Sequence, residues 1–267
     1  MNHWPWRDNR VTPSTDMHAT VILFPGSNAD AEMVRTLRDV LQVRTSIAWH
    51  RDAELPAGTD LCAIPGGFSY GDYLRAGAIA RVSPIVAAIR RHAERGGLVL
   101  GVCNGFQILT EAGLLPGALT RNAHLRFECR DVHVTPQAEG PFLTGLPRVL
   151  RLPIAHAEGR YQASPETLRA LEESRSIAFQ YCDREGRIGR TPDEAPWTEA
   201  NPNGSTLSIA GIQGGPRRNV LGLMPHPERM SEDFQGGADG RSLFDAAVRS
   251  AAETMAPAEI TGDAGGA

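Results

Sequence analysis

Apolar residues fall along this chain in short compact runs separated by stretches of helical spacing. Residues 20–24 (TVILF), 60–64 (DLCAI) and 98–100 (LVL) are β-rich runs of the kind buried on both faces of a sheet. Residues 43–49 form a further predicted strand. Between the first two strands, Met33, Val34, Leu37, Val40 and Leu41 recur at helical spacing, and Ser27 or Asn28 is placed to cap a helix running to about Leu41. A second helix is expected around residues 82–95 and ends at Gly96-Gly97. Strands alternating with helices predict an α/β fold, a doubly wound, mainly parallel sheet with helices on both faces. Such sheets bind ligands at the carboxyl ends of their strands.

After Gly117 the pattern changes. Residues 124–135 and 149–154 read as strands of a smaller antiparallel section. Residues 164–173 read as a helix capped by Ser164 with Pro165 in its first turn. A strand over 177–182, a polar loop over 183–204, a hairpin pair at 206–211 and 219–224, and a last helix over 240–255 complete the pattern. Residues 1–18 mix Trp4, Pro5, Trp6 and Pro13 without periodicity and read as a flexible extension. Residues 256–267 are small and polar and read as a disordered tail. The expectation is a single domain over 19–255, with no internal repeat.

Composition narrows the function classes. The chain has 267 residues, enough for a substantial core, and a formal net charge of −4, which argues against a nucleic-acid partner. No apolar run is long enough to span a bilayer, and the first residues lack a signal-peptide core. Cys62, Cys103, Cys129 and Cys182 are widely spaced, which suggests reduced thiols in a cytoplasmic setting rather than a disulfide framework or zinc ribbon. No histidine pair has metal-ligand spacing, so no metal is expected.

The chemistry centres on Gly101-Val102-Cys103-Asn104-Gly105. It is the G-x-S-x-G nucleophile turn with sulfur for oxygen, and it joins a predicted strand to a predicted helix. Glycines relieve the crowding around a strained residue, and the helix N-terminus favours negative charge at Cys103. Two His-x-Glu pairs compete as base and orienting group: His156-Ala157-Glu158 and His226-Pro227-Glu228. Alternation would put each His and Glu on one side of an extended segment. Pro225 and Pro227 stiffen the backbone around His226, which suits fixed positioning, but spacing leaves both pairs open. Gly66-Gly67 and the N–H of Asn104 are candidates for oxyanion donors. His124, Arg126 and Glu128 alternate along one expected strand face. No G-x-x-x-x-G-K-[ST] occurs, so no ATP site of that type is present.

Seven segments occur in order: F-P-G-S-N (24–28), P-G-G-F-S-Y-G-D-Y-L-R-A-G-A (65–78), G-V-C-N-G-F-Q (101–107), R-F (126–127), I-A-H-A-E-G-R-Y (154–161), N-P-N-G-S (201–205) and M-P-H-P-E-R (224–229). Together they resemble the glutamine amidotransferase subunits of phosphoribosylformylglycinamidine synthases, a branch of the class I (triad) amidotransferases. The resemblance implies a class I amidotransferase fold with a flavodoxin-like core. It implies a glutaminase with Cys103 as nucleophile, His226 as proton shuttle, Glu228 orienting His226, and Gln107 helping to hold L-glutamine. By this analogy His226 is chosen over His156. Ammonia would pass to a large synthase subunit, which carries ATP and magnesium and makes formylglycinamidine ribonucleotide. A small third subunit would bridge the two, and this chain itself would carry no cofactor. Ala29 stands where the family usually has Cys, and Ala157 where it usually has Gly, which leaves the His156 segment without an assigned role. Two other readings are a peptidase-like cysteine hydrolase on the same sheet and a non-catalytic module. The first would not need the P-G-G-F-S-Y-G-D or N-P-N-G-S segments, and the presence of all three triad residue types argues against the second.

Overall fold

The short apolar runs of the first half become parallel strands, because each is apolar on both faces and must be covered on both. The computed structural model describes residues 16–189, 198 and 200–255. It places β1 at His18–Leu23, β2 at Arg44–Trp49, β3 at Leu61–Ile64 and β4 at Leu98–Val102. The helices between and after them are α1 (Asp30–Arg35), α2 (Pro84–Glu94) and α3 (Asn104–Glu111). The second half adds β5 (Ala118–Thr120), β6 (Glu128–Pro136), β7 (Leu150–His156) and β8 (Arg160–Gln162). It ends with α4 (Pro165–Glu173), β9 (Ile177–Cys182), β10 (Ile209–Gly214), β11 (Val220–Leu223) and α5 (Arg241–Met255).

One sheet of the described residues carries nine strands in the order β2-β1-β3-β4-β11-β10-β9-β6-β7. From β2 through β11 the neighbours run parallel, and from β11 to β7 they run antiparallel. The antiparallel section expected from sequence thus continues the main sheet, and only β5 and β8 form a separate two-stranded sheet. Strand order reverses about β1, so the loops after β3 and β4 leave the sheet at the crevice typical of doubly wound folds.

Seating α3 is the main packing problem. A Cβ on Gly105 would lie 2.1 Å from the Ile64 carbonyl oxygen, and one on Gly101 would lie 2.7 Å from the Gly105 backbone. Bare backbone at both positions lets the helix approach β3 and β4. A Cβ on Gly222 would lie 2.1 Å from the Phe106 ring, so that ring rests on β11. Phe106 then stacks with Tyr161 of β8, centroids 6.2 Å apart, joining the two sheets. Each such fully buried large side chain contributes about 1.5–3 kcal/mol.

Several sequence-based boundaries shift for local reasons. β1 begins at His18, inside the expected extension, because three bonds hold that residue. Its N–H donates to Asp60, and its ring meets Ser46 Oγ at 2.7 Å and the Ala57 carbonyl at 3.2 Å. Residues 1–15 and the expected tail lie outside the described residues. Neither Ser27 nor Asn28 caps α1. Ser27 Oγ accepts from the Phe24 N–H, and the N–H groups of Asn28 and Ala29 donate instead to the Gly66 carbonyl. Past Arg35 the helix widens into a π-turn over Thr36–Val40. Residues 124–127 precede β6 rather than forming part of it, with Leu125 at φ 59° and the Arg126 N–H donating to His124 Nδ1. His124, Arg126 and Glu128 therefore do not share a strand face. The Ser164 cap forms as expected, its side chain accepting from the Thr167 N–H at 3.2 Å.

Gly105→Ala tests the seating of α3. Overpacking against the β3 carbonyl should destabilise the fold by about 1–3 kcal/mol in urea titration, and an unchanged midpoint would contradict the described contact.

Candidate active site

Cys103 sits between β4 and α3 at φ 51° and ψ −105°, a conformation that residues with a Cβ rarely adopt. Its N–H donates to the Leu223 carbonyl of β11 at 2.8 Å, so the neighbouring strand holds the strained turn in place. Its thiol points toward the Ala155 carbonyl, 3.9 Å away at the end of β7.

His226 and Glu228 follow β11. The His226 N–H donates to the Pro153 carbonyl, and Pro227–Arg229 winds into a 3₁₀ turn rather than continuing as extended chain. That turn, not strand alternation, brings His226 Nδ1 to 2.5 Å from Glu228 Oε1, with both side chains at most 2% exposed. The Glu228 carbonyl accepts from Thr36 Oγ1, Ser231 Oγ and Gln235 Nε2, which fixes the turn from below. Burial opposes a charged imidazole, but the Glu228 carboxylate and Cys103 outweigh it and raise the His226 pKa. His226 Nε2 has no hydrogen-bond partner among the described residues. The ring can therefore exchange a proton with the sulfur on one side while the carboxylate holds it from the other.

Gly66 and Gly67 lie beside this pair. A Cβ on Gly66 would lie 2.5 Å from His226 Cε1, and one on Gly67 would lie 2.5 Å from the Gly26 carbonyl oxygen. Asn104 heads α3, where an N–H has no intrahelical acceptor, and Gly67 lies in the facing loop, so these two N–H groups are the candidates to receive an anion. The Asn104 side chain is not available. It accepts from the Ser69 N–H and donates to Gln107 Oε1 and Asp72 Oδ1. Gln107 in turn donates to the Glu158 carbonyl at 2.6 Å. The chain Ser69–Asn104–Gln107–Glu158 ties the loops after β3 and β7 to the first turn of α3, and Gln107 works within it as a brace. Burial and the nearby Glu158 raise the Asp72 pKa to about 6, against the opposing bond from Asn104.

The two His-x-Glu pairs, equivalent by spacing, differ in space. His156 pairs with Asn122, not Glu158, and the Glu158 carboxylate faces Arg121 and the Ala76 N–H. Sequence reasoning missed Asn122, Thr36 and Ser231, which carry no motif of their own. The N-P-N-G-S segment proves to be a buried polar plug. Asn201 and Asn203 each bond Ser205, Asn203 also donates to the Gly159 carbonyl and to Tyr181, and Ser205 Oγ accepts from the Tyr161 N–H. Among the described residues no cluster of three or more His, Cys, Asp or Glu could hold a metal ion, and no helix is long and apolar enough to cross a membrane. A cavity of about 580 Å³ lined by Arg130, His133, Arg151 and Arg187 includes none of Cys103, His226 and Glu228.

Comparison with known proteins adds four findings. The family described as the CobB/CobQ-like glutamine amidotransferase domain matches residues 16–243. A phosphoribosylformylglycinamidine synthase subunit PurQ of Bradyrhizobium diazoefficiens is 52% identical over 231 residues, covering 85% of this chain and 95% of the relative. One from Gloeobacter violaceus is 51% identical over 88% of this chain and 98% of the relative. In the solved structure of PurLQS from Thermotoga maritima, one chain superposes with a TM-score of 0.73 at 35% identity, covering 87% of this chain and 98% of that one.

Two measurements test the electrostatics. Glu228→Gln removes the carboxylate charge that offsets burial, so the His226 ring should titrate at lower pH by NMR; an unmoved titration would show that Glu228 does not set it. Asp72 has a raised folded pKa, so the fold binds its proton more tightly than the unfolded chain does. That stabilisation is complete below the unfolded value of 3.8 and is lost as pH rises through about 6. Asp72→Asn should therefore melt higher than the native chain at pH 8, with the gap closing near pH 3.5.

Proposed function

The chain belongs to the CobB/CobQ-like glutamine amidotransferase family, in its phosphoribosylformylglycinamidine synthase branch, and on that premise we propose how its residues carry the reaction. It is the glutaminase subunit of that synthase, acting in purine biosynthesis. Residues 19–255 serve as a single amidotransferase domain. Cys103 attacks the carboxamide carbon of L-glutamine, and the N–H groups of Gly67 and Asn104 receive the developing oxyanion. His226 takes the thiol proton and gives it to the leaving nitrogen, so ammonia departs and a γ-glutamyl thioester remains. Water then attacks the thioester, His226 accepts its proton, and glutamate and free Cys103 result. Glu228 holds the imidazole in position and stabilises its charge. Gln107 shapes the glutamine pocket through its bonds to Asn104 and Glu158. The observation that carries this reading is the strained turn at Cys103, set against a buried imidazole that Glu228 orients at 2.5 Å.

The ammonia goes to the large synthase subunit, which uses ATP and magnesium, and a small subunit bridges the two. Three leucines support a docking face around the site. Leu74, Leu125 and Leu207 are 91%, 76% and 41% exposed and all have positive φ, an unusual combination of strain and exposure. Each lies on a loop that holds the site: Leu74 next to Arg75-Ala76, Leu125 bonded to Asn122, and Leu207 just past Ser205.

In the reconstituted complex, Cys103→Ala should abolish glutamine-dependent synthesis and leave ammonia-dependent synthesis intact. Intact mass after a diazo-ketone glutamine analogue should show one adduct on native Cys103, suppressed by glutamine and faster with the large subunit present. No Cys103 adduct in either state would overturn the assignment.

A further inference from the structure

His156 is a buried histidine that the proposed reaction does not use, and its hydrogen bonds leave one lone pair unspent. Asn122 Nδ2 donates to the Arg126 and His156 carbonyls, both at 2.9 Å, which fixes the orientation of that amide. Asn122 Oδ1 must then accept, and it does so from the Gly159 N–H and from His156 Nδ1, both at 3.1 Å. The proton of His156 therefore sits on Nδ1, and Nε2 is a pure acceptor. It has no partner among the described residues, although the side chain is only 3% exposed. Buried acceptors are rarely left so, and a ligand is one explanation.

The ring cannot turn away to find a partner. A Cβ on Gly159 would lie 2.3 Å from His156 Cε1, so the imidazole rests flat on that glycine backbone. The preceding residue, Ala155, offers its carbonyl to the Cys103 thiol. The adjoining Glu158 carbonyl holds Gln107. Tyr181, close enough to feel the Cys103 charge, joins the same region through Asn203 and the Gly159 carbonyl. Burial first, and then the charge of His226, push the His156 pKa down to about 3, so the ring stays neutral near neutral pH. A neutral acceptor one residue along from the carbonyl that meets the Cys103 thiol, and near enough to His226 to feel its charge, is open to an N–H donor.

We propose that His156 Nε2 accepts a hydrogen bond from the carboxamide N–H of glutamine and then from the ammonia that forms from it. The inference rests on the reading of Cys103 as nucleophile. As the Cys103 sulfur bonds to the carbonyl carbon and the C–N bond breaks, the proton from His226 joins the nitrogen, and ammonia leaves with its lone pair. His156 gives and takes no proton. By holding one N–H it turns the nitrogen lone pair toward His226, which delivers the proton.

The test compares glutamine with L-glutamate γ-methyl ester in the reconstituted complex, because the ester's leaving group has no N–H. His156→Leu should lower kcat/KM for glutamine about 10- to 100-fold more than for the ester. His156→Gln, whose amide oxygen can accept, should bring the glutamine-to-ester ratio back toward the native value. Equal losses on both substrates, or an unchanged ratio in both variants, would overturn the proposal: His156 would then support the loop or hold the amino-acid end of the substrate. A native complex that hydrolyses neither substrate, or whose hydrolysis survives Cys103→Ala, would instead strike the underlying assignment of the nucleophile.

Discussion

The structure depends on holding one cysteine in a backbone conformation it would not choose. A non-glycine residue at φ 51° costs on the order of 1–3 kcal/mol, and it persists only where its surroundings dictate it. Here they do so from both sides. β4 enters the turn buried along its whole length, α3 leaves it as a buried helix, and β11 takes the Cys103 N–H. Helix and strand meet this tightly because Gly101 and Gly105 carry no Cβ. The strained conformation of the turn is thus stabilised by the hydrophobic core itself, in which Cys103 is buried.

The antiparallel half of the sheet wraps the far strand back to this point. β7 lies five places from β4 in the strand order, yet its end supplies the Ala155 carbonyl to Cys103 and the Pro153 carbonyl to His226. Such a long return must be held by directional bonds, since apolar packing alone does not fix a loop to a fraction of an ångström. Two polar networks do this. One runs Ser69–Asn104–Gln107–Glu158 from one loop through α3 to another, and the other is the buried N-P-N-G-S plug, which grips Gly159 and Tyr181. Residues that resemble substrate ligands by position, such as Gln107, also work as braces.

A common logic separates the two buried histidines. Both are desolvated, which by itself favours the neutral ring. His226 has a carboxylate at 2.5 Å and a sulfur beside it, and its proton is held tightly. His156 has the neutral Asn122 amide on Nδ1 and the charges of His226 and His124 nearby, so the ring keeps its single Nδ1 proton and takes no second one. The partner on Nδ1 decides whether a buried imidazole stores a proton or offers a lone pair.

The chain by itself determined the alternation of strands and helices, the turn at Cys103, the Ser164 cap and the identity of the residues that gather at the strand ends. Those features are local: they depend on apolar periodicity, on glycine where a Cβ cannot fit, and on short-range capping. Tertiary structure alone decided which His-x-Glu pair is joined, because both have the same spacing and only the 3₁₀ turn at Pro227 closes one of them. It also decided that α1 starts on the Gly66 carbonyl rather than on a side-chain cap, that residues 124–127 leave the strand, and that Asn122 sets the tautomer of His156. Each of these turns on a hydrogen bond between residues distant in sequence or in a non-extended backbone. Periodicity along the chain carries no record of such bonds.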